Sequence, residues 1–428
     1  MFLTLEDPRA KIQGSRDPLG LQPIWSRFGR KLVCNLTTVS SAVRGFSVLL
    51  IGKYFAEELI REGKANEEDA IHLFLKFEQI AAYSRYVAMG DEGGDIVLGI
   101  TRVKKRHGEG KGSVRISERQ TDQILSDQQS YGLWGLYSVP ARVSGLLEPG
   151  PVGITEIARE FVEQEYASRL HSQRRALTKL IRNGGKFRAK ANNQPCKSLS
   201  SVLGSVLTNS ERDFYGSHLR DAVLIDSGQA EAAKRQSALA QLLLKLFEPD
   251  EGLTRTGIER LHQSASKNDT ENLAGWLSKI LRLEATIAPA ELVFNFVIAN
   301  DRQSVKSVAR EIHDCWGSTI PHVRESIEFL RGEIKPAINS EQESQLIRTN
   351  NALADGNFEE VVAAVVDWNK AVMEARGSAA WVTIKNRKLD VKSRGRDRQL
   401  PTGDQLSDLW ANSYFISSLK ALSFQLEN

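Results

Sequence analysis

Residues Asp122 to Glu163, DQILSDQQSYGLWGLYSVPARVSGLLEPGPVGITEIAREFVE, decide what fold we expect for the N-terminal half of this chain. Apolar residues recur at helical spacing on both sides of a short turn rich in Gly and Pro, from Glu148 to Pro151. Two helices joined by a tight turn are what a helix-turn-helix or winged-helix module needs. The stretch therefore predicts a winged-helix-like module.

The second helix of this module is expected to open at Ser138, with Pro140 in its first turn, where proline is tolerated. Its predicted exposed residues are Ala141, Arg142 and Ser144, and its predicted packed residues are Val143, Leu146 and Leu147. Thr155 is expected to begin the last helix. The ending, two leucines before the turn and Ile-Thr after it, resembles that of many winged-helix domains in bacterial regulators. Such domains bind DNA or protein, and a helical packing unit that touches neither is a further alternative.

Two basic segments flank the module. The first contains Arg102, Lys104, Lys105 and Arg106, and the second contains Arg169, Arg174, Arg175, Lys179, Arg182, Lys186 and Arg188. Together with Arg142 these are the candidate nucleic-acid-binding residues. No acidic residue interrupts the second segment, and on a helix Arg175, Lys179 and Arg182 share one face. Phosphate contacts would suit it, although a run of charge is more often a solvated face.

Composition and cysteine usage set the class of the protein. The 428 residues are 41% hydrophobic and 26% charged with a net charge of +4, as in a soluble globular protein of two or three domains. Three scattered cysteines without a CxxC pair disfavour both a disulfide scaffold and a zinc site. No signal peptide and no apolar run of about 20 residues stands out. We expect a cytoplasmic protein with no membrane contact, no metal and no cofactor.

The chain is expected to be mainly α, in three domains. These are an N-terminal helical domain over 1–120, the winged-helix-like module with its basic extension over 121–200, and a helical C-terminal domain over 201–428. Periodicity and capping residues predict an antiparallel helix pair over 37–82, followed by a Gly-rich loop over 89–119 with an extended piece at 96–101. Alternating residues predict a β-hairpin near 381–392. The last helix is expected from Asp404 to Leu426, containing Trp410.

A metal-dependent nuclease is the alternative that would make this chain an enzyme. Asp390-Val391-Lys392 has the acid-x-Lys spacing that restriction-type nucleases use to hold magnesium and position water. No second acid stands on a preceding predicted strand, and such triplets arise by chance in charged chains. His313-Asp314-Cys315 cannot form one catalytic group, because adjacent helical residues point about 100° apart.

Four stretches also resemble a broad group of bacterial proteins of unassigned activity encoded near mobile-element and phage-defence genes. They are LGLQPIWSRFGRKLVCNLTTVSSAVRGFSVLLIGKYF at 19–55, GITRVKKRHGEGKG at 99–112, QILSDQQSYGLWGLYSVPARVSGLLE at 123–148 and LWANSYFISSLKAL at 409–422. The resemblance spans most of the chain and carries no catalytic motif. It implies a bacterial cytoplasmic accessory component that acts with other protein subunits of the same system.

These observations lead to three hypotheses. The first is a non-enzymatic DNA-binding or scaffolding subunit of a multi-protein, phage-defence-like complex, whose double-stranded DNA contacts are largely non-specific. The second is a scaffold that binds protein only. The third is a metal-dependent nuclease centred on Asp390 and Lys392.

Overall fold

The computed structural model describes residues 17–90, 98–150, 152–224, 229–267, 272–318, 338–393 and 399–427, with a few further positions between 320 and 336. The chain divides into two compact units. Unit 1 combines Met1–Leu32 with Asp250–Tyr414, and unit 2 combines Val33–Pro249 with Phe415–Asn428. Each unit is therefore built from two separated segments of sequence.

Unit 2 contains most of the shorter helices. They are α2 (Val43–Arg61), α3 (Ala70–Met89), α4 (Ile100–Glu109), α5 (Gln128–Tyr131), α6 (Leu133–Val143), α7 (Glu156–Val162), α8 (Ser168–Leu170), α9 (Arg174–Asn183), α10 (Gln194–Val202), α11 (Asn209–Tyr215) and α12 (Ala230–Leu246). Strands β1 (Ser113–Ile116) and β2 (Gly185–Arg188) pair antiparallel in this unit. The chain returns to it at its C-terminal end.

Unit 1 contains the longer helices of the second half. Its helices are α1 (Gln22–Gly29), α13 (Arg255–Lys267), α14 (Leu273–Ala299), α15 (Val305–Trp316), α16 (Ser340–Ala354), α17 (Phe358–Ala375) and α18 (Gly403–Ser407). The last helix of the chain, α19 (Ile416–Glu427), belongs to unit 2. Strands β3 (Val382–Lys385) and β4 (Lys388–Val391) form the second antiparallel pair, so the predicted hairpin is confirmed. Asn369 on α17 fixes the start of this hairpin, because the Asn369 Oδ1 accepts a 2.8 Å hydrogen bond from the Trp381 amide.

The antiparallel helix pair predicted over 37–82 is also confirmed, as α2 and α3. Gly63 has a positive φ of 67° at the turn, and Asn66 and Asp69 form a capping box that satisfies the free amides of the next helix. Gly52 permits close packing, because a Cβ there would lie 2.7 Å from the Phe77 ring. Local turn chemistry and apolar periodicity therefore agree in this hairpin.

The loop predicted over 89–119 is wrong for residues 100–109, which form α4, and for residues 113–116, which form β1. Residues 96 and 97 of the expected extended piece lie outside the described residues, and the rest of it is turn and helix. Gly99, with φ at 74°, permits the turn, and the fully buried Val103 anchors the helix next to α3. Val103 is the single buried residue of this charge-rich helix, which is too weak a periodic signal to reveal it.

The predicted start of the second module helix is wrong, since α6 begins at Leu133 and contains Pro140 near its end. Ala141 and Ser144 are buried, whereas Arg142 is exposed as expected. The burial arises because α6 packs against α2, where the Tyr137 ring lies 4.9 Å from the Phe46 ring. Leu146 and Leu147 are buried as predicted, and the Thr155 side chain caps α7.

The final predicted helix is two helices, α18 and α19, and Trp410 lies between them in neither. The described part of the chain is mainly helical, as predicted, and contains two small antiparallel strand pairs, of which only the β3–β4 hairpin is predicted. The winged-helix arrangement over 121–200 stays a prediction. No helix among the described residues has the length and apolarity that a membrane crossing requires.

Candidate nucleic-acid interface

Helix α9 presents its predicted basic face to solvent. Arg175, Lys179 and Arg182, at i, i+4 and i+7, are exposed, whereas Leu177 and Ile181 on the other face are fully buried. Gly184, with φ at 65°, ends the helix. Three positive charges are therefore arranged along two turns of one helix.

Strand β2 continues the positive surface directly after α9. Lys186 and Arg188 are exposed, whereas Phe187 between them is buried opposite Val114 of β1. Alternation along a strand places Lys186 and Arg188 on the same face of the ribbon. We name the set Arg175, Lys179, Arg182, Lys186 and Arg188 the α9–β2 basic surface.

The α9–β2 basic surface lies in a part of the sequence that is free of acidic residues. Residues 166–210 contain no Asp or Glu. None of the five side chains has a hydrogen-bond or ion-pair partner among the residues that the structure describes. Exposed cations without acidic partners can neutralise phosphate charge and release counterions, which gives affinity without sequence specificity.

Arg115 is a cation of this ribbon that sequence reasoning missed. It lies opposite Lys186 in the β1–β2 register and is exposed, with its Nε 3.7 Å from Asp122 Oδ2. The signal in the sequence is its position between Val114 and Ile116, both buried, in a short alternating run. The strand partner lies about seventy residues away along the chain, so the run by itself indicates no ribbon.

Arg174, next to Arg175, points towards α2. Its guanidinium contacts the buried Glu58 carboxylate and lies 3.3 Å from Glu62 Oε1. Arg61 also contacts Glu58, so two cations share this buried acid. The ion pairs of Arg174 therefore link α9 to the α2–α3 hairpin.

Two further candidates also make internal contacts. Arg106 Nη1 donates a 2.6 Å hydrogen bond to the Gln123 carbonyl. Arg169 lies 3.2 Å from Glu165 and donates a 3.0 Å hydrogen bond to the Ser201 carbonyl. Arg106 therefore holds the segment before α5 in place, and Arg169 links its own helical segment to α10 within unit 2.

The remaining candidates lie on α4 and α6. Lys105 is exposed, with its Nζ 4.0 Å from Glu109, and Arg102 and Lys104 are half-buried. Arg142 is exposed on α6. The C-terminal end of α4 is held beside β2 by a 2.9 Å hydrogen bond between His107 Nε2 and the Ala189 carbonyl. The structure therefore brings part of the first basic segment next to the ribbon.

The candidate nuclease residue Asp390 lies in the β3–β4 hairpin of unit 1. Lys385 Nζ lies 2.5 Å from Asp390 Oδ2, and this hydrogen bond lowers the pKa of the Asp390 carboxyl. Asp301, which sequence reasoning did not connect to Asp390, accepts a 3.1 Å hydrogen bond from the neighbouring Val391 amide. Within the described ranges no three His, Cys, Asp or Glu side chains are grouped to hold a metal ion. Asp390 therefore acts here as an ion-pair partner of the hairpin.

Comparison with known proteins identifies no relative. No protein-family model matches the chain, and neither a curated protein nor a solved structure is significantly similar to it.

Proposed function

We propose that this chain is a non-enzymatic subunit that binds double-stranded DNA through the α9–β2 basic surface, largely independently of base sequence. The observation that supports the proposal is that the five exposed cations of this surface lie in a 45-residue stretch, 166–210, that contains no acid. Lys and Arg side chains of this kind contact phosphates and set the position of a protein on the duplex. Base-edge contacts are not part of the proposal.

Residues 121–200 serve in this proposal as a winged-helix-like module. Helices α6 and α7 are separated by a short reversal in which Leu147 and Ile154 form an isolated antiparallel bridge. The two strands of the β1–β2 ribbon flank helices α5 to α9 in sequence, because β1 precedes α5 and β2 follows α9. Exposed Arg142 on α6 would add a further cation to the phosphate contacts.

We further propose that the subunit acts within a bacterial multi-protein complex of the phage-defence type. This part rests on the resemblance of the four stretches at 19–55, 99–112, 123–148 and 409–422. A scaffold that binds protein only is the second candidate. It is motivated by apolar side chains left in solvent on unit 2, such as Val139, Val206 and Val223.

The proposal is tested by fluorescence anisotropy with two labelled duplexes of unrelated sequence, at low and at roughly physiological salt, with magnesium present. We expect similar affinity for both duplexes and a steep loss with salt. Arg175→Ala, Lys179→Ala and Arg182→Ala together should lower the slope of log affinity against log salt by about three. The matched control removes three exposed cations of unit 1, with Lys306→Ala, Arg310→Ala and Lys370→Ala, and should leave the slope unchanged.

Other outcomes decide between the candidates. An absence of duplex binding at both salt concentrations contradicts the DNA proposal and favours the protein-only scaffold. Shortened DNA, checked on a denaturing gel, would indicate the nuclease if the Asp390→Ala variant leaves the duplex intact. Equal losses in the two triple variants would show that net charge, not this surface, determines binding.

A further inference from the structure

The two halves of the α9–β2 basic surface are joined by two consecutive glycines. Gly184 has a φ of 65° and Gly185 a φ of 124°. Because glycine adopts positive φ about as readily as negative φ, this link alone does not fix the direction of β2 relative to α9. Contacts outside the link must therefore set how the cations of the helix and those of the strand are placed relative to one another.

Lys76 of α3 holds the last turn of α9. Its Nζ donates a 3.0 Å hydrogen bond to the Arg182 carbonyl, which is among the last carbonyls of α9 and has no partner within the helix. Lys76 is only 8% exposed, and burial lowers the pKa of its ammonium group. Because a buried cation is costly unless it is hydrogen-bonded, this contact fixes the end of α9 against α3.

Gln79, one turn later on α3, holds the end of β1. Its carboxamide donates a 2.8 Å hydrogen bond to the Ser117 carbonyl and accepts a 3.2 Å hydrogen bond from the Ser117 amide. Ser117 directly follows β1, so one side chain satisfies both backbone groups of this residue. Gln79 Nε2 also lies 3.3 Å from Gln128 Oε1, which uses its second N–H. The fully buried Gln79 therefore fixes both the position and the orientation of the strand end.

Both anchors act at the same end of the β1–β2 ribbon. Ile116, the residue before Ser117, pairs with Gly185, the first residue of β2. Gly184 packs closely there, since a Cβ on it would lie 2.6 Å from the Ile116 carbonyl oxygen. The two anchoring side chains lie three positions apart on one face of α3. One helix face therefore holds the end of α9 and the end of β1 where the basic surface changes from helix to strand.

We propose that Lys76 and Gln79 are positioning residues of the DNA interface. Both are buried and do not touch the duplex; they place β2 beside α9 so that the cations of both elements meet phosphates of one duplex. The inference rests on the proposed function and deepens it, because it names the residues that make one surface out of two elements. Without these contacts the glycine link lets the ribbon shift, and Lys186 and Arg188 no longer reach the phosphates.

The Gln79→Leu variant tests this assignment without changing the net charge or any cation of the surface. It removes both hydrogen bonds to Ser117. Fluorescence anisotropy of the full-length protein should show that the slope of log affinity against log salt falls by about two, as if both cations of β2 had been removed. The matched control is Gln236→Leu, because Gln236 is equally buried in unit 2 and donates a 2.8 Å hydrogen bond to the Leu219 carbonyl. This control should lower the Tm and leave the slope unchanged.

Lys76→Met provides a second test, which decides the matter if circular dichroism shows that Gln79→Leu does not fold. Loss of one charge lowers the slope by at most about one, whereas loss of positioning adds the two cations of β2, so we expect a fall of about two to three. Its matched control is Lys420→Met, because Lys420 is also buried and donates a 2.7 Å hydrogen bond to the Pro249 carbonyl. Equal slopes for the two lysine variants would contradict the positioning role.

The outcomes separate this inference from the function on which it rests. A steep slope for the unmodified protein, with the same slope in a folded Gln79→Leu variant, overturns the inference alone. Equal falls in the two glutamine variants also overturn it, because the effect then comes from a general loosening of unit 2. An absence of duplex binding by the unmodified protein overturns the proposed function, and the inference with it.

Discussion

The α9–β2 basic surface and the β3–β4 hairpin are both small, cation-rich regions, but they differ in the acidic residues that accompany their cations. In the hairpin Lys385 pairs with Asp390, and Asp301 lies beside the same strand. The α9–β2 basic surface has no acidic residue within its 45-residue stretch. The number of cations is therefore a poor indicator of a nucleic-acid surface, and the positions of the acids are more informative.

The same distinction separates two adjacent residues of α9. Arg174 contacts the buried Glu58, whereas Arg175 is exposed and unpaired among the described residues. The helix turns by about 100° between them, which directs one guanidinium towards α2 and the other into solvent. Of two adjacent positively charged residues, one therefore takes part in the packing of helices, while the other remains in solvent.

The largest expected effect comes from placing an acidic residue among the cations of the α9–β2 basic surface, as Asp390 is placed in the hairpin. Lys179→Glu removes one cation and gives Arg175 an i,i+4 partner and Arg182 an i,i+3 partner. We expect it to lower the salt slope of duplex binding by about two to three, against about one for Lys179→Ala. Anisotropy at four or more salt concentrations measures both slopes. Identical slopes for the two variants would contradict a contact through α9.

An intermediate effect is expected from the ribbon. Lys186→Ala with Arg188→Ala removes two cations without changing the buried Phe187 between them. The salt slope should fall by about two, and the Tm should be nearly unchanged because both side chains are exposed. If only α9 variants alter binding, the contact ends before β2 and the surface is smaller than we define it.

Arg174→Ala should change stability more than binding. It removes a partner of the buried Glu58 carboxylate, so the free energy of unfolding should fall by about 1 kcal/mol, while the salt slope stays the same. Urea unfolding measures the first quantity and anisotropy the second. A lower salt slope with unchanged stability would place Arg174 in the binding surface.

The smallest effect is expected from the hairpin. Arg387→Ala with Lys388→Ala should leave duplex affinity within roughly twofold of the unmodified protein, since they lie outside the basic surface. The experiment removes as much charge as the ribbon variant does. A loss equal to that of the ribbon variant would remove the distinction between the two regions.

Sequence patterns predict those local elements whose signals lie close together in the chain. Periodicity and the Gly63 and Asn66 signals identify the α2–α3 hairpin, and the spacing of Arg175, Lys179 and Arg182 identifies the basic face of α9. These features depend on residues within a few turns of one another. The pairing of β1 with β2 depends on residues about seventy positions apart, in strands of four residues, so local patterns carry no information on it.

The roles of single charges were harder to predict. The direction of Arg174 depends on where α2 lies, and the burial of Ala141 depends on the packing of α6 against α2. A cavity of unit 2 between α2, α3 and α6 left one trace in the sequence, because Glu78 and Arg85 interrupt an otherwise apolar face of α3 seven residues apart. Only the packed structure shows that both line a cavity.

The most direct test of the account is lysine footprinting of the protein with and without a random duplex. Acetylation followed by mass spectrometry reports the accessibility of each lysine in the full-length protein, without substitutions. We predict that the duplex protects Lys179 and Lys186, while Lys306 and Lys388 are modified equally in both samples. Protection of Lys388 with no change at Lys179 and Lys186 would contradict the assignment of the α9–β2 basic surface as the DNA contact.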